Sequence, residues 1–184
     1  MKKSVVVVLA EGFEEIEAIT PVDILRGGGV DVTIAGVASQ QVKGAHGILV
    51  TADCLLADYD ETPDAVVLPG GLPGADNLRN STDVGELIKR VHKKGNTVAA
   101  ICASPALVLT QTGVLDGRRA TCYPGFEGNF NSSIKIQTDP VVIDGNIITS
   151  RGPGTASRFA FVLLARLIGT DKASQLEAGT LFAE

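Results

Sequence analysis

Three cysteines, two histidines and a cluster of glutamates carry most of the reactive chemistry this chain can offer. Cys102 stands out by its context. The small and aliphatic run Thr97–Ile101 reads as a buried strand, and Pro105 follows the cysteine three positions later. Proline is tolerated in the first turn of a helix, where its missing N–H costs nothing. The expected path is therefore strand, sharp turn, helix, with Cys102 at the turn and its side chain at the carboxyl end of a strand. Helix N–H groups and the helix dipole aimed at the sulfur favour thiolate. A free cysteine is also a common small core residue, and this stretch alone leaves both readings open. Cys54 and Cys122 lie far from it and from each other, so there is no disulfide framework and no C-x-x-C metal pair.

Gly70-Gly71 ends another expected strand, residues 64–68, by way of Pro69. Backbone there can approach a ligand closely and aim N–H groups at an anion. With the N–H that follows Cys102 it would form an oxyanion hole; the competing reading is an ordinary glycine turn. It is not a phosphate loop, because neither G-x-G-x-x-G nor a Walker pattern with lysine is present. Glu14, Glu15 and Glu17 follow the first apolar run. Acidic residues at a helix start commonly complement the dipole and face water. Glu17, however, shares a face with Ile16 and residues 19–23 that points to the sheet end. A partly buried glutamate has a raised pKa. Protonated, it donates a hydrogen bond to a thiolate without adding repulsion, and it can later act as acid or base. His92 reads as a solvated helix residue; His46, flanked by glycines, is a weaker site candidate. No Cys-His pair is assured, so protease-like chemistry is under-supported.

These corners need elements to hold them. With 184 residues the chain is most simply one domain, and 45% hydrophobic content without tryptophan leaves Ala, Val, Leu and Ile to pack it, as in α/β proteins with buried parallel strands. A net charge of -5, with no Lys/Arg run longer than a pair, argues against nucleic-acid and anionic-membrane partners. No apolar run approaches the roughly 18 residues of a membrane span. The Met-Lys-Lys-Ser start superficially resembles a signal peptide, but Glu11, Glu14, Glu15 and Glu17 follow directly. It reads as the first strand of a cytoplasmic protein.

Ser4–Leu9, a helix over 15–26 interrupted at Pro21, and a strand over 30–35 form a βαβ unit with a right-handed crossover. Residues 36–60 read as an excursion with small antiparallel strands. The sheet resumes at 64–68, followed by a short helix over 75–78 and a helix over 83–94 capped by Thr82. Residues 106–110 read as helix and 119–123 as strand. Val141–Asp144 and Ile147–Ser150 form a hairpin whose Gly145-Asn146 suits a type I′ turn. A strand-to-helix corner at 151–155 leads into Ala156–Ile168 and a last helix, 171–182, running to the chain end. The corners at 9–13, 68–71 and 101–104 all follow parallel strands, and ligands of open α/β sheets bind outside such carboxyl ends.

Ala10-x-Gly12-x-Glu14-Glu15-x-Glu17, Pro21-Val22-Asp23, Val67-Leu68-Pro69-Gly70-Gly71, Ala99-Ala100-Ile101-Cys102-Ala103 and Thr149-Ser150-Arg151-Gly152-Pro153-Gly154-Thr155 occur in order over nearly the whole chain. Together they resemble the ThiJ/PfpI superfamily, and within it the subgroup of the parkinsonism-associated deglycase and its bacterial ThiJ-like relatives. The resemblance implies a flavodoxin-like three-layer α/β sandwich with a mostly parallel central sheet and a nucleophile elbow, and it implies a homodimer. The first helix is the candidate contact. It also implies a reactive, oxidation-prone cysteine, matched by Cys102, and a protonated glutamate beside it, matched by Glu17. The family's oxyanion donors match the backbone of Gly70, Gly71 and Ala103. The 151–155 corner matches a segment by the pocket and dimer interface, which places Arg151, Gly152 and Pro153 beside Tyr123 and His46 as pocket residues.

Tyr123, in Cys122-Tyr123-Pro124, stands where many members carry histidine. A phenol with a pKa of about 10 is a poor base near neutrality, although it can orient substrate. Protease and amidotransferase chemistry thereby loses ground to Cys-Glu chemistry. The expected function is cysteine-dependent conversion of small reactive carbonyls, methylglyoxal to hydroxy acid, or of glycated adducts, in stress protection. Neither a metal nor an organic cofactor is called for. The alternative is a redox-sensing or chaperone-like protein whose Cys102 oxidises without turnover.

Overall fold

Val5, Val6, Val7, Val8 and Leu9 are all buried in β1 (Ser4–Leu9). A strand apolar on both faces belongs in the interior of a parallel sheet, and β1 lies there. The computed structural model describes residues 2–182. In it β1 pairs in parallel with β2 (Asp31–Gly36) on one side and with Ala65–Leu68 on the other. The helix α1 (Glu15–Gly27) makes the first crossover. The excursion forms the antiparallel pair β3 (Gln41–Lys43) and β4 (Leu49–Thr51), and then adds β5 (Cys54–Leu55) to the sheet edge beside β2. The chain returns through β6 (Ala65–Leu68), α2 (Gly74–Asn80), α3 (Thr82–Lys93) and β7 (Thr97–Ile101). A π-helical turn, Pro105–Leu109, runs into α4 (Thr110–Thr112). The small parallel pair β8 (Arg119–Ala120) and β9 (Lys135–Ile136) precedes β10 (Val141–Asp144), β11 (Ile147–Ser150), α5 (Ala156–Ile168) and α6 (Thr170–Gly179).

The seven-stranded sheet has the order β10-β11-β7-β6-β1-β2-β5. Only β10 runs antiparallel to its neighbour. The step from β1 to β2 goes one way along the sheet and the step from β6 to β7 goes the other. With right-handed crossovers, α1 and α3 must then cover opposite faces. α5 and α6 join α1 on its face, while α2 and α4 accompany α3. This is the flavodoxin-like three-layer arrangement. The strand order reverses between β1 and β6, so a crevice opens outside their carboxyl ends.

Several local expectations change. α1 runs unbroken through Pro21, which costs a backbone hydrogen bond, because burial of Val22, Ile24 and Leu25 on its inner face holds the helix together. The cap of α3 is Ser81, whose Oγ accepts the Val84 N–H at 3.4 Å; Thr82 is already helical. Gly145 has φ 61 but Asn146 is not left-handed, so the β10–β11 turn follows the II′ pattern instead of I′. The expected strand over 119–123 is reduced to β8, because its partner β9 is only two residues long. α6 ends at Gly179, short of the expected 182, because the chain turns at Thr180 and Leu181, the latter with φ 61. Among the described residues no helix is long and apolar enough to cross a membrane.

Candidate active site

Cys102 follows β7 directly and has φ 65, the left-handed region, which a non-glycine residue rarely occupies. Such a conformation costs on the order of 1–3 kcal/mol and persists where surrounding contacts over-determine it. They do so here. The Cys102 N–H donates to the Ser150 carbonyl at 3.0 Å, and the Cys102 carbonyl accepts the Tyr123 N–H at 2.8 Å. The fully buried Ser104 hydroxyl donates to the Pro69 carbonyl at 2.5 Å, tying the start of the following turn to the end of β6. The result is a strand-to-helix elbow that presents the sulfur at the sheet end.

Gly70 and Glu17 complete the corner. The Gly70 N–H donates to Glu17 Oε2 at 2.8 Å, and the Gly70 carbonyl accepts the Glu14 N–H at 3.0 Å. A Cβ on Gly70 would lie 2.6 Å from Cys102 Cβ, 2.8 Å from Glu17 Oε2 and 3.0 Å from Sγ, so only glycine fits. Glu17 is 0% exposed, lies within hydrogen-bond reach of the thiol, and its Oε1 has no partner. Burial pushes its carboxyl up to about 7, with Glu14 adding to the rise and the hydrogen bonds from Cys102 and Gly70 opposing it. Burial first, then the charge and hydrogen bond of Glu17, push the Cys102 thiol up to about 12, against the N–H groups of Gly71 and Ala103. The expected lowering by the helix N-terminus is therefore overridden at this depth. The two groups titrate as one pair. A first proton leaves near neutrality and the second is held tightly, because two charges cannot sit this close.

Two of the three expected oxyanion donors remain available. The N–H groups of Gly71 and Ala103 face the sulfur, but that of Gly70 is spent on Glu17. Cys102 is 9% exposed and opens onto a cavity of about 240 Å³ lined by Gly71, Leu72, Ala103, Tyr123 and Phe126. Tyr123 lines this cavity beside Cys102. Arg151, Gly152 and Pro153 line an adjoining cavity of about 400 Å³ that also touches Tyr123. Leu72, Phe126 and Ser104 were not legible as site residues. Their only signal is proximity in sequence to Gly71, Tyr123 and Cys102.

His46 does not reach this cavity. Its Nδ1 lies 2.8 Å from Glu15 Oε2, and its N–H donates to Glu15 Oε1 at 2.8 Å. Glu15 is held below the usual carboxylate range by these bonds despite its burial, and His46 is raised in return. Glu14, Glu15 and His46 form a grouping, among the described residues, whose ligand atoms lie within 4.8 Å of one another. Glu15 is already committed to the β3–β4 turn, so the trio acts as a clamp on that hairpin. His92, expected in solvent, is half-buried with Asn146 Nδ2 3.2 Å from its Nδ1, and burial lowers its pKa. Cys122 is buried and its thiol is pushed up to about 12; Cys54 is half-buried and raised by burial and by Asp53 and Asp58.

A flavodoxin-like sheet with a left-handed cysteine elbow and a buried glutamate at the strand ends defines a class of α/β proteins with a thiol at a strand-to-helix turn. Residues 3–166 match the model of the DJ-1/PfpI family, and the chain belongs to that family. It is 42% identical over 176 residues to protein DJ-1 homolog B of Arabidopsis thaliana, covering 95% of this chain and 40% of that protein. The chain therefore spans less than half the length of its Arabidopsis relatives. It is 36% identical over 177 residues to the glutathione-independent glyoxalase DJR-1.2 of Caenorhabditis elegans, covering 95% and 94% of the two chains. The structure of oxidized Toxoplasma gondii DJ-1 superposes with a TM-score of 0.95 at 36% identity, covering 99% of this chain and 100% of that one.

Proposed function

We propose that the protein converts small reactive carbonyls to hydroxy acids at Cys102, in a role of protection against carbonyl stress. One observation carries this reading: a thiol and a fully buried carboxyl stand within hydrogen-bond reach of each other at the mouth of a mostly apolar cavity. Ionised Glu17 would leave Oε1 charged, buried and without a donor, which costs several kcal/mol. The sulfur has two N–H donors, from Gly71 and Ala103. The proposed reaction proceeds from the form of the pair with the charge on sulfur and the proton on Glu17.

That arrangement suits an oxoaldehyde such as methylglyoxal. Cys102 Sγ bonds to the aldehyde carbon, and the carbonyl electron pair moves to oxygen, which takes the Glu17 proton. The N–H groups of Gly71 and Ala103 hold the developing oxyanion. Glu17, now a carboxylate, removes the hydrogen of that carbon as a proton and returns it to the neighbouring carbon. A proton passes between the two oxygens, leaving a hydroxyl and a thioester. Water hydrolyses the thioester and restores the thiol. One carbon is oxidised and its neighbour reduced, so no external oxidant is needed. A carboxyl with a pKa near neutrality is matched to taking and returning that proton. The name of the C. elegans relative, a glutathione-independent glyoxalase, supports the same reading. Glycated adducts present related carbonyl carbons to the same thiol.

A second reading has its own support: the Toxoplasma relative is described in an oxidized form, and an accessible thiolate climbs from sulfenic to sulfinic acid. On that reading Cys102 senses oxidants without turnover. We also propose a homodimer through α1, where Ile16 is 53% and Ile19 39% exposed although both are large and apolar. The deciding experiment is steady-state consumption of methylglyoxal by the purified protein. Many equivalents of hydroxy acid per chain, lost in Cys102→Ser, support the enzyme. A single equivalent of carbonyl consumed per thiol, with no product released, sinks it in favour of the sensor.

A further inference from the structure

Tyr123 lines both the cavity at Cys102 and the larger one at Arg151. Its position is tightly specified. Its N–H is bonded to the Cys102 carbonyl, which fixes its backbone to the elbow. Its ring meets Phe126 edge-on, with centroids 6.3 Å apart and planes at 76°. On its other side it lies against Gly152, where a Cβ would stand 3.0 Å from Tyr123 Cδ2 and 3.3 Å from Cε2. Gly152 itself has φ 168, an extended conformation open to any residue. A side chain at 152 would press on the tyrosine ring and need it to give by a few tenths of an ångström.

We infer that the Tyr123 ring is the wall between these two cavities and sets the size limit of the Cys102 site. It restricts the site to oxoaldehydes with a short aliphatic substituent and excludes those carrying an aryl group. The space next to Cys102, about 240 Å³, takes a three-carbon carbonyl compound. An aromatic substituent extends past the Tyr123 ring and needs the space beyond it, about 400 Å³ beside Arg151 and Pro153. Truncating the ring joins the two. The choice of oxoaldehydes rests on the carbonyl function proposed above; the wall itself does not.

The test separates the two. Iodoacetamide and N-phenyl iodoacetamide carry the same reactive carbon and differ only in bulk. Their rates at Cys102 are followed by peptide mass mapping in the wild type and in Tyr123→Ala, Tyr123→Leu and Tyr123→Phe. The wild type should react with the phenyl reagent about 10-fold more slowly than with iodoacetamide, the scale on which pocket size discriminates. Tyr123→Ala should bring the two rates together by accelerating the phenyl reagent. Tyr123→Leu keeps an apolar side chain against Phe126 and should move the ratio in the same direction, which covers a fold defect in the alanine variant. Tyr123→Phe should leave the ratio unchanged, since the ring and not the hydroxyl is the wall. Phenylglyoxal turnover relative to methylglyoxal should rise in parallel with the alkylation ratio. If both reagents react equally in the wild type, or the truncations change both rates alike, the wall does not exist. If neither oxoaldehyde is turned over, the carbonyl function falls while the alkylation ratio still decides the wall.

Discussion

Replacing Glu17 by glutamine should make the protein more stable at neutral pH and leave it little changed in acid. The reason lies in the burial of this carboxyl. In an unfolded chain it ionises near 4.5; in the fold its pKa is raised to about 7 by burial. The folded form therefore binds more protons than the unfolded form between these values. Stability is fully present below about pH 4.5, declines as pH rises through the window, and is flat from about 7 until the unfolded thiol begins to ionise near 9. The shift corresponds to about 3 kcal/mol. Glutamine is neutral throughout and its carbonyl oxygen can still accept the Gly70 N–H, so the variant lacks this decline. Urea unfolding at about pH 4, 6 and 8 measures it. The stability gap, variant minus wild type, should grow by about 3 kcal/mol across that range. A gap that stays constant with pH would mean that Glu17 is not a buried acid, and the proton shuttle proposed for it would fall with it. The variant should also lose turnover while keeping its thiol, because an amide cannot accept and return the substrate proton.

Three further outcomes follow from the same geometry. Limiting iodoacetamide at about pH 8, above the first ionisation of the Cys102–Glu17 pair, should label Cys102 before Cys54 or Cys122; earlier labelling of either of the others would move the nucleophile elsewhere. Gly70→Ala puts a Cβ 2.6 Å from Cys102 Cβ and should lower stability by about 1–3 kcal/mol while abolishing fast alkylation; normal alkylation would show that the corner is looser than described. Ile16→Asp, at an exposed position of α1, should convert a dimer to a monomer in sedimentation at micromolar concentration, and a wild type that is itself monomeric there would contradict the proposed contact.

The sheet was readable because burial leaves a plain mark in sequence. Val5–Leu9 and Thr97–Ile101 are apolar without alternation, which only a two-sided core tolerates. Cys102 was readable from the strand–proline spacing, but the helix face read for Glu17 was wrong: Ile16 and Ile19, taken as its inward neighbours, are exposed, and Glu17 is buried with Ala18, Pro21 and Val22 instead. What escaped depended on distances between segments far apart in the chain. Ser104 looks like any small polar residue until its hydroxyl is placed against Pro69, 35 positions earlier. Leu72 and Phe126 are apolar residues in loops until they are seen lining the cavity at Cys102. His46 failed in the opposite direction. Its glycine neighbours suggested reach into a site, but a buried carboxylate on α1 captured it first.

At the glycine pair that ends β6, chemistry and packing ask for the same residues. Read from sequence, Gly70-Gly71 supplies N–H groups to an anion. In the fold its first task is close approach: a Cβ on Gly71 would lie 2.5 Å from the Glu14 nitrogen and 2.6 Å from the Gly12 carbonyl oxygen. The corner after β1 and the corner after β6 therefore meet backbone to backbone, with the Glu14 N–H on the Gly70 carbonyl. Since Glu17 begins one turn of α1 beyond Glu14, this contact sets the distance from its carboxyl to the sulfur. Flexible side chains could not hold that distance, whereas two backbones in van der Waals contact can. The N–H of Gly70 then fixes one carboxyl oxygen, and that of Gly71 is left for the sulfur. The shared charge of the Cys102–Glu17 pair is thus a consequence of how closely β1 and β6 can bring their ends together. Any side chain at position 70 or 71 would undo it without touching either reactive group's identity.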